Sequence, residues 1–279
     1  MAFEPGLIKD LGMNLHGQRF GGVARLYGQS GLQRLRRAHV CVVGLGGVGS
    51  WAVEALARCG IGEMTLVDVD NVCMSNVNRQ LPALEANLGR GKAEVMAERV
   101  REINPECRVH PVQTFINETN VGGVLGGTFD FVVDAIDSVS SKALLIASCR
   151  ERGKRVVVTG GAGGRTDPTQ IEVADLATSS HCGLLQEVRR TLRRAHGFSR
   201  GDAPFGIECV FSREACVLVG SEEGECGEGS GAKGGGARAG RKKGYGTVSF
   251  VTGAFGLVAA SRVVRAIAGT GGAGWGGAV

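Results

Sequence analysis

With 279 residues, 43% of them hydrophobic, the chain can bury one sizeable α/β core, and such cores often run this long as a single domain. The net charge of +5 is modest, and the nine cysteines include no C-x-x-C pair, which argues against a structural zinc site. Cys41, Cys59, Cys107, Cys149 and Cys209 sit in apolar runs and read as buried thiols; with no signal sequence evident, a reducing, cytoplasmic setting is expected.

In chain order, residues 32–39 read as a basic helix leading into an apolar strand, Val40-Cys41-Val42-Val43. A Gly-rich turn follows, then a helix over 52–59 with Arg58 near its C-terminal end, where a cation suits the dipole. A second apolar strand, 64–67, ends in Asp68 and Asp70. Residues 92–103 are helical and are stopped by Asn104-Pro105. The apolar run 129–133 ends in Asp134 and Asp137, residues 138–152 form the next helix, and 155–159 a buried strand. Short strands are expected at 171–173 and 207–211. Arg189, Arg190, Arg193 and Arg194 recur at i, i+1, i+4, i+5, which gathers them on one side of a helix. That side is either a solvated face or a contact for a phosphate backbone.

Residues 221–246 break the composition: ten are glycine, with acids at one end and Lys/Arg at the other. Such a stretch cannot bury enough apolar surface to order itself and reads as a mobile crossover loop, with Cys226 its only thiol. Residues 247–261 form an apolar helical pattern that Arg262 interrupts after about 15 residues, short of the roughly 20 that cross a membrane. A helix packed on the core is favoured over membrane association, and 269–279 read as a frayed tail. The five histidines follow no metal-ligand or triad spacing, and no chemistry is assigned to them.

The chemistry concentrates in the first half. Gly44, Gly46 and Gly49 fit G-x-G-x-x-G, which lets backbone approach phosphate at a helix N-terminus. Asp68 lies about 20 residues downstream, where a carboxylate accepts ribose hydroxyls, although it could instead cap the loop after its strand. This fingerprint alone would suit a NAD-dependent dehydrogenase. A loop rich in amides and hydroxyls then leads to Arg79 and Lys92, cations that suit a triphosphate and a departing pyrophosphate, although Arg79 could pair with Glu85. No G-x-x-x-x-G-K-[ST] P-loop occurs, so ATP would bind in the Rossmann manner. Asp134 and Asp137, at the carboxyl end of a strand, are expected beside the same cleft.

Together, Gly44-x-Gly46-Gly47-x-Gly49, Asp68-x-Asp70, Asn76-x-x-Arg79-Gln80, Lys92 and Asp134-x-x-Asp137 resemble the adenylating domain of the ubiquitin-activating-enzyme-like superfamily. The strings at 19–28, 104–109, 134–138, 159–164 and 167–171 look like the tRNA threonylcarbamoyladenosine dehydratases, over roughly residues 14–220 and again 244–268. The resemblance implies a Rossmann-like, doubly wound mixed sheet with helices on both faces. It spans one adenylating domain, 1–220, with the flexible loop 221–246 and a C-terminal helix, 247–268, packed on it.

It also implies ATP with Mg²⁺, a tRNA substrate, a homodimer and a cysteine desulfurase or sulfur-acceptor protein as a further partner. In that reading Gly44, Gly46, Gly47 and Gly49 approach the phosphates, Asp68 holds the ribose, Asp70 belongs to the same nucleotide-binding set, and Asn76 and Arg79 orient the phosphates. Lys92 stabilises the leaving pyrophosphate, Asp137 holds the metal, and Ser138 stands beside it. Where relatives read R-Y-x-R-Q and donate an arginine across a dimer interface, this chain has Gly22, and Arg25 is the substitute to consider. Adenylation of a ubiquitin-like or sulfur-carrier protein C-terminus is the alternative reading, and a non-catalytic nucleotide-binding scaffold a third.

Overall fold

A computed structural model describes residues 15–201, 203–217 and 245–269. Among these residues seven strands form one sheet in the order β3-β2-β1-β4-β5-β7-β6. The strands are β1 (His39–Val43), β2 (Glu63–Val67), β3 (Arg108–Val112), β4 (Phe131–Asp134), β5 (Val156–Thr159), β6 (Ile171–Asp175) and β7 (Glu208–Ser212). All neighbours are parallel except β6, which runs antiparallel to β7 at the edge. Parallel strands covered on both faces must be apolar throughout, and β4 and β5 are fully buried for that reason.

Side chains alternate across this sheet. Val40, Val42, Met64, Leu66, Val133 and Val157 join one core, which α2 (Gly49–Arg58), α3 (Lys92–Ile103) and α7 (Ser249–Ala268) cover. Cys41, Val43, Val132 and Val158 point the other way, into a core closed by α5 (Val139–Glu151) and α6 (Gly183–Ala195). The chain crosses from one half of the sheet to the other between β1 and β4. The cleft of a doubly wound fold opens at that reversal, outside the carboxyl ends of the strands.

Several boundaries differ from the sequence reading. β3 went unpredicted because Arg108, His110 and Pro111 dilute its apolar pattern; proline is tolerated there because β3 is an edge strand. The basic helix at 32–39 is the end of a longer element, α1 (Leu15–Arg37), broken by non-helical backbone at Phe20 and Gly28. His39 opens β1 instead of closing a helix.

Helix α7 is long and apolar enough to cross a membrane, yet Val251, Phe255, Ala259 and Val263 are core residues. It lies so close to α2 that a Cβ on Gly256 would meet the Val48 carbonyl at 2.3 Å. Arg262 does not end the helix. It lies inside α7 and donates to the Glu208 carboxylate at 2.7 and 3.0 Å. The Gly-rich stretch around Cys226, and the tail beyond Gly269, lie outside the described residues.

Candidate functional site

The Gly-rich turn after β1 is fixed by two backbone constraints. Gly44 has φ +87°, and a Cβ there would sit 2.7 Å from the Ala135 carbonyl oxygen. At Gly49 a Cβ would come within 1.7 Å of the Gly44 carbonyl oxygen, so only glycine lets α2 start directly over the strand. The turn forms one wall of a cleft of about 580 Å³ that also takes in Asp68, Asp70, Asn76, Arg79, Lys92, Asp137 and Ser138. Of the residues given a nucleotide or metal role by the resemblance, all reach this cleft except Gly49, whose place is under the turn.

Asp68, at the end of β2, accepts the Leu45 N–H at 2.6 Å on Oδ2 and the Asp70 N–H at 2.8 Å on Oδ1. It therefore does tie the Gly-rich turn to its strand, and each carboxylate oxygen keeps a lone pair for a ligand. Burial pushes its carboxyl above the ordinary aspartate range, against those hydrogen bonds and the nearby Lys92 charge. Asn76 is buried, its Oδ1 accepting the Cys73 N–H at 3.3 Å. Arg79 does not pair with Glu85. Its guanidinium donates to the Ser75 carbonyl at 2.8 Å and to Asn78 Oδ1 at 2.9 Å. The Arg79 carbonyl accepts from the Trp51 indole at 3.1 Å, which ties the loop to α2.

Lys92 opens α3 with its side chain 5% exposed, and its Nζ lies 2.9 Å from Asp70 Oδ2, itself 65% exposed. An outward acid thus holds an inward ammonium at the edge of the cleft. Asp137 and Ser138 lie exposed between β4 and α5, the Ser138 hydroxyl 3.2 Å from that of Ser140.

Asp134 contradicts the sequence expectation. It is fully buried outside the cleft, 3.0 Å from the equally buried Lys142 Nζ, which also donates to the Asp134 and Ile136 carbonyls. Of the four helical arginines, Arg189 is half-buried and donates to Ser179 Oγ. Arg193 donates to the Ser199 and Gly201 carbonyls at 3.1 and 2.8 Å. Only Arg190 and Arg194 face outward, Arg190 beside Glu187.

One residue escaped the sequence reading. Arg165 is buried with its guanidinium donating to the Gly161, Gly163 and His181 carbonyls, at 2.5, 3.1 and 2.7 Å. It braces the Gly160–Gly163 wall of the cleft through carbonyls, while the neighbouring Asp167 carboxylate is taken by Thr169 and Gln170. Among the described cysteines, burial pushes Cys107 and Cys149 up to about 12, so neither offers a thiolate at neutral pH.

Known proteins place this arrangement. A model of the ThiF family matches residues 22–275. The tRNA threonylcarbamoyladenosine dehydratase of Escherichia coli (strain K12) is 49% identical over 249 residues, which cover 89% of this chain and 92% of that protein. The crystal structure of the Escherichia coli enzyme in complex with ATP superposes with a TM-score of 0.81 at 46% identity, over 91% of this chain and 96% of that one. A complex of the same enzyme with AMP matches equally well. With the Gly-rich turn, the Asp68 carboxylate and the Asp70–Lys92 pair arranged on a sheet shared along nearly its whole length, the chain belongs to the ThiF family, on the branch of the tRNA threonylcarbamoyladenosine dehydratases.

Proposed function

We propose that this protein catalyses the ATP-dependent dehydration of threonylcarbamoyladenosine beside the anticodon of tRNA, closing it to a ring through an acyl-adenylate. The observation that carries the reading is the convergence of Asp68, Arg79 and the Asp70-held Lys92 on one cleft over a Gly-rich turn. A free carboxylate is a poor electrophile because it has no tolerable leaving group. Its oxygen attacks the α-phosphorus of ATP, the bond to the bridging oxygen breaks, and pyrophosphate leaves. The neighbouring carbamoyl group then attacks the activated carbonyl; AMP departs, the carbamoyl proton is lost, and water is the net product removed. The second step is intramolecular, so no enzyme nucleophile is required.

In this reading the free lone pairs of Asp68 accept the ribose hydroxyls, and Asn76 and Arg79 orient the phosphates. Lys92 meets charge developing on pyrophosphate. Asp137 fits Mg²⁺, since it is a carboxylate exposed to the cleft and committed to no hydrogen bond among the described residues. The ion, when bound, neutralises phosphate charge. Ser138 stands at the N-cap position of α5 next to it, its hydroxyl toward Ser140. A homodimer is the assembly this reading implies, with Arg25, exposed beside Gly22, the residue to test across it.

AMP release and formation of the cyclic nucleoside should require both ATP and threonylcarbamoyladenosine-bearing tRNA, followed by mass spectrometry of digested tRNA. Pyrophosphate exchange driven by a carrier protein ending in Gly-Gly, and indifferent to the tRNA, would transfer the chain to protein activation. Tight NAD binding without ATP binding in calorimetry would replace adenylation altogether.

Arg190 and Arg194, one helical turn apart on the open side of α6, supply the phosphate contacts. Changing both to alanine should raise KM for tRNA and flatten the salt dependence of tRNA binding by about two counterions, leaving ATP affinity alone. An unchanged salt slope would return that helix face to solvent.

A further inference from the structure

The edge of the sheet opposite the cleft carries a second chemical cluster. β1, β2 and β3 begin there side by side, with His39 level with Glu63 and Thr65 level with His110. Alternation turns His39, Glu63, Thr65 and His110 to the same face. One donor atom from each of His39, Glu63 and His110 lies within 4.8 Å of the others. Positions 39, 63 and 110 share no sequence spacing, which is why the histidines looked idle; the fold alone assembles them.

We propose that His39, Glu63 and His110 bind a zinc-class divalent transition-metal ion through His39 Nδ1, Glu63 Oε1 and His110 Nε2. His110 Nε2 lies 2.8 Å from Glu63 Oε1, and His39 Nδ1 lies 3.8 Å from the same oxygen. Donors held about 2.0–2.2 Å from a tetrahedral ion sit roughly 3.3–3.5 Å apart, so shifts of about half an ångström suit both pairs with Glu63, while the two imidazole nitrogens draw together from within 4.8 Å. On binding, the ion replaces the hydrogen bond between His110 and Glu63, and a neutral His110 carries its proton on Nδ1 so that the Nε2 lone pair coordinates.

The surroundings orient the donors. His39 Nε2 lies 2.9 Å from Thr65 Oγ1, and a hydrogen bond donated there leaves the lone pair on Nδ1, facing Glu63. Phe129 meets the His39 ring edge-on at 4.6 Å and limits its rotation. The His39 N–H donates to Asp130 Oδ2 at 2.8 Å, which fixes the start of β1. Arg108 takes the other Glu63 oxygen, so Oε1 remains the coordinating one. Its guanidinium also opposes a cation, which points to moderate affinity. His110 is half exposed, leaving a fourth position open to water. Two imidazoles and one carboxylate favour zinc and its neighbours over Mg²⁺ or Ca²⁺, which prefer oxygen donors throughout. The ion would clamp three strand starts, including the edge strand β3, and stands apart from the adenylation chemistry.

The test is calorimetric titration of the metal-free full-length protein with Zn²⁺, beside His110→Ala and Glu63→Gln, with thermal melts of each. The wild type should bind one more equivalent than His110→Ala, or bind it at least tenfold more tightly, and only the wild type should gain several degrees on adding the ion. Co²⁺ bound there should lack the thiolate charge-transfer absorption that any cysteine site would give. His110 is half exposed, so its alanine variant should fold and melt like the wild type without metal; it suffices if Glu63→Gln does not fold. Equal stoichiometry, affinity and melting shift in wild type and His110→Ala would overturn the proposal, as would thiolate absorption on the equivalent in question.

Discussion

Lys92→Ala should lower AMP release by about 10² to 10³, the scale expected when one preorganised charge is removed from a transition state. A lysine that follows glycine at a helix start would ordinarily be solvent-accessible. Instead the stem is buried and the ammonium is fixed 2.9 Å from Asp70. A cation already held in position needs no reorganisation as pyrophosphate charge develops, which strengthens the expectation for catalysis. It also raises the structural cost, because alanine removes buried methylenes, so a loss of about 1–2 kcal/mol of stability should accompany the kinetic effect. Lys92→Met keeps most of the stem and separates the two: its melting temperature should return toward wild type while turnover stays low. Asp70 is mostly exposed and can be solvated when its partner is lost, so neither variant should unfold. Measured AMP release with ATP and modified tRNA, near wild type in Lys92→Met, would take Lys92 out of the reaction.

What could be read from the sequence was local. Gly44 to Gly49, Asp68 and Lys92 announce themselves because each is dictated by a short stretch of chain: a turn that admits no Cβ, a strand end, a helix start. The order of these pieces fixes a doubly wound sheet, and helix boundaries at 92–103 were legible from Asn104-Pro105. Contacts between distant segments were hidden. Arg165 meets carbonyls on two loops, and His39, Glu63 and His110 meet only because β1, β2 and β3 lie side by side. Strand β3 was obscured by the polar residues and proline that an edge position permits.

Asp134 shows how a correct motif can still mislead about geometry. Two carboxylates three residues apart at a strand end looked equally close to the ligand. Yet Asp134 is still within β4, with its side chain fully buried, while Asp137 lies past the strand and reaches the cleft. The partner that makes a buried carboxylate tolerable, Lys142, comes from the first turns of α5, and its alkyl stem reads as ordinary helix.

That pair sets the largest stability effect expected in the molecule. Lys142→Met should cost about 3–5 kcal/mol, because it leaves a carboxylate with no exposure and no counter-charge. Burial already pushes the Asp134 carboxyl above the usual aspartate range, while Lys142 pulls it back. Without the lysine the folded-state value rises further, so the folded protein retains a proton that the unfolded chain releases. Stability of the variant must then fall as pH rises through that raised value, and the deficit relative to wild type should be smaller at pH 5 than at pH 8. Urea unfolding at the two pH values measures it. Removing both charges, Asp134→Leu with Lys142→Met, should recover most of the loss, since an apolar pair spares two desolvated ions. A deficit that ignores pH, or a double variant no more stable than the single one, would mean that Lys142 acts through its stem and its bonds to the Asp134 and Ile136 carbonyls, and not through its charge.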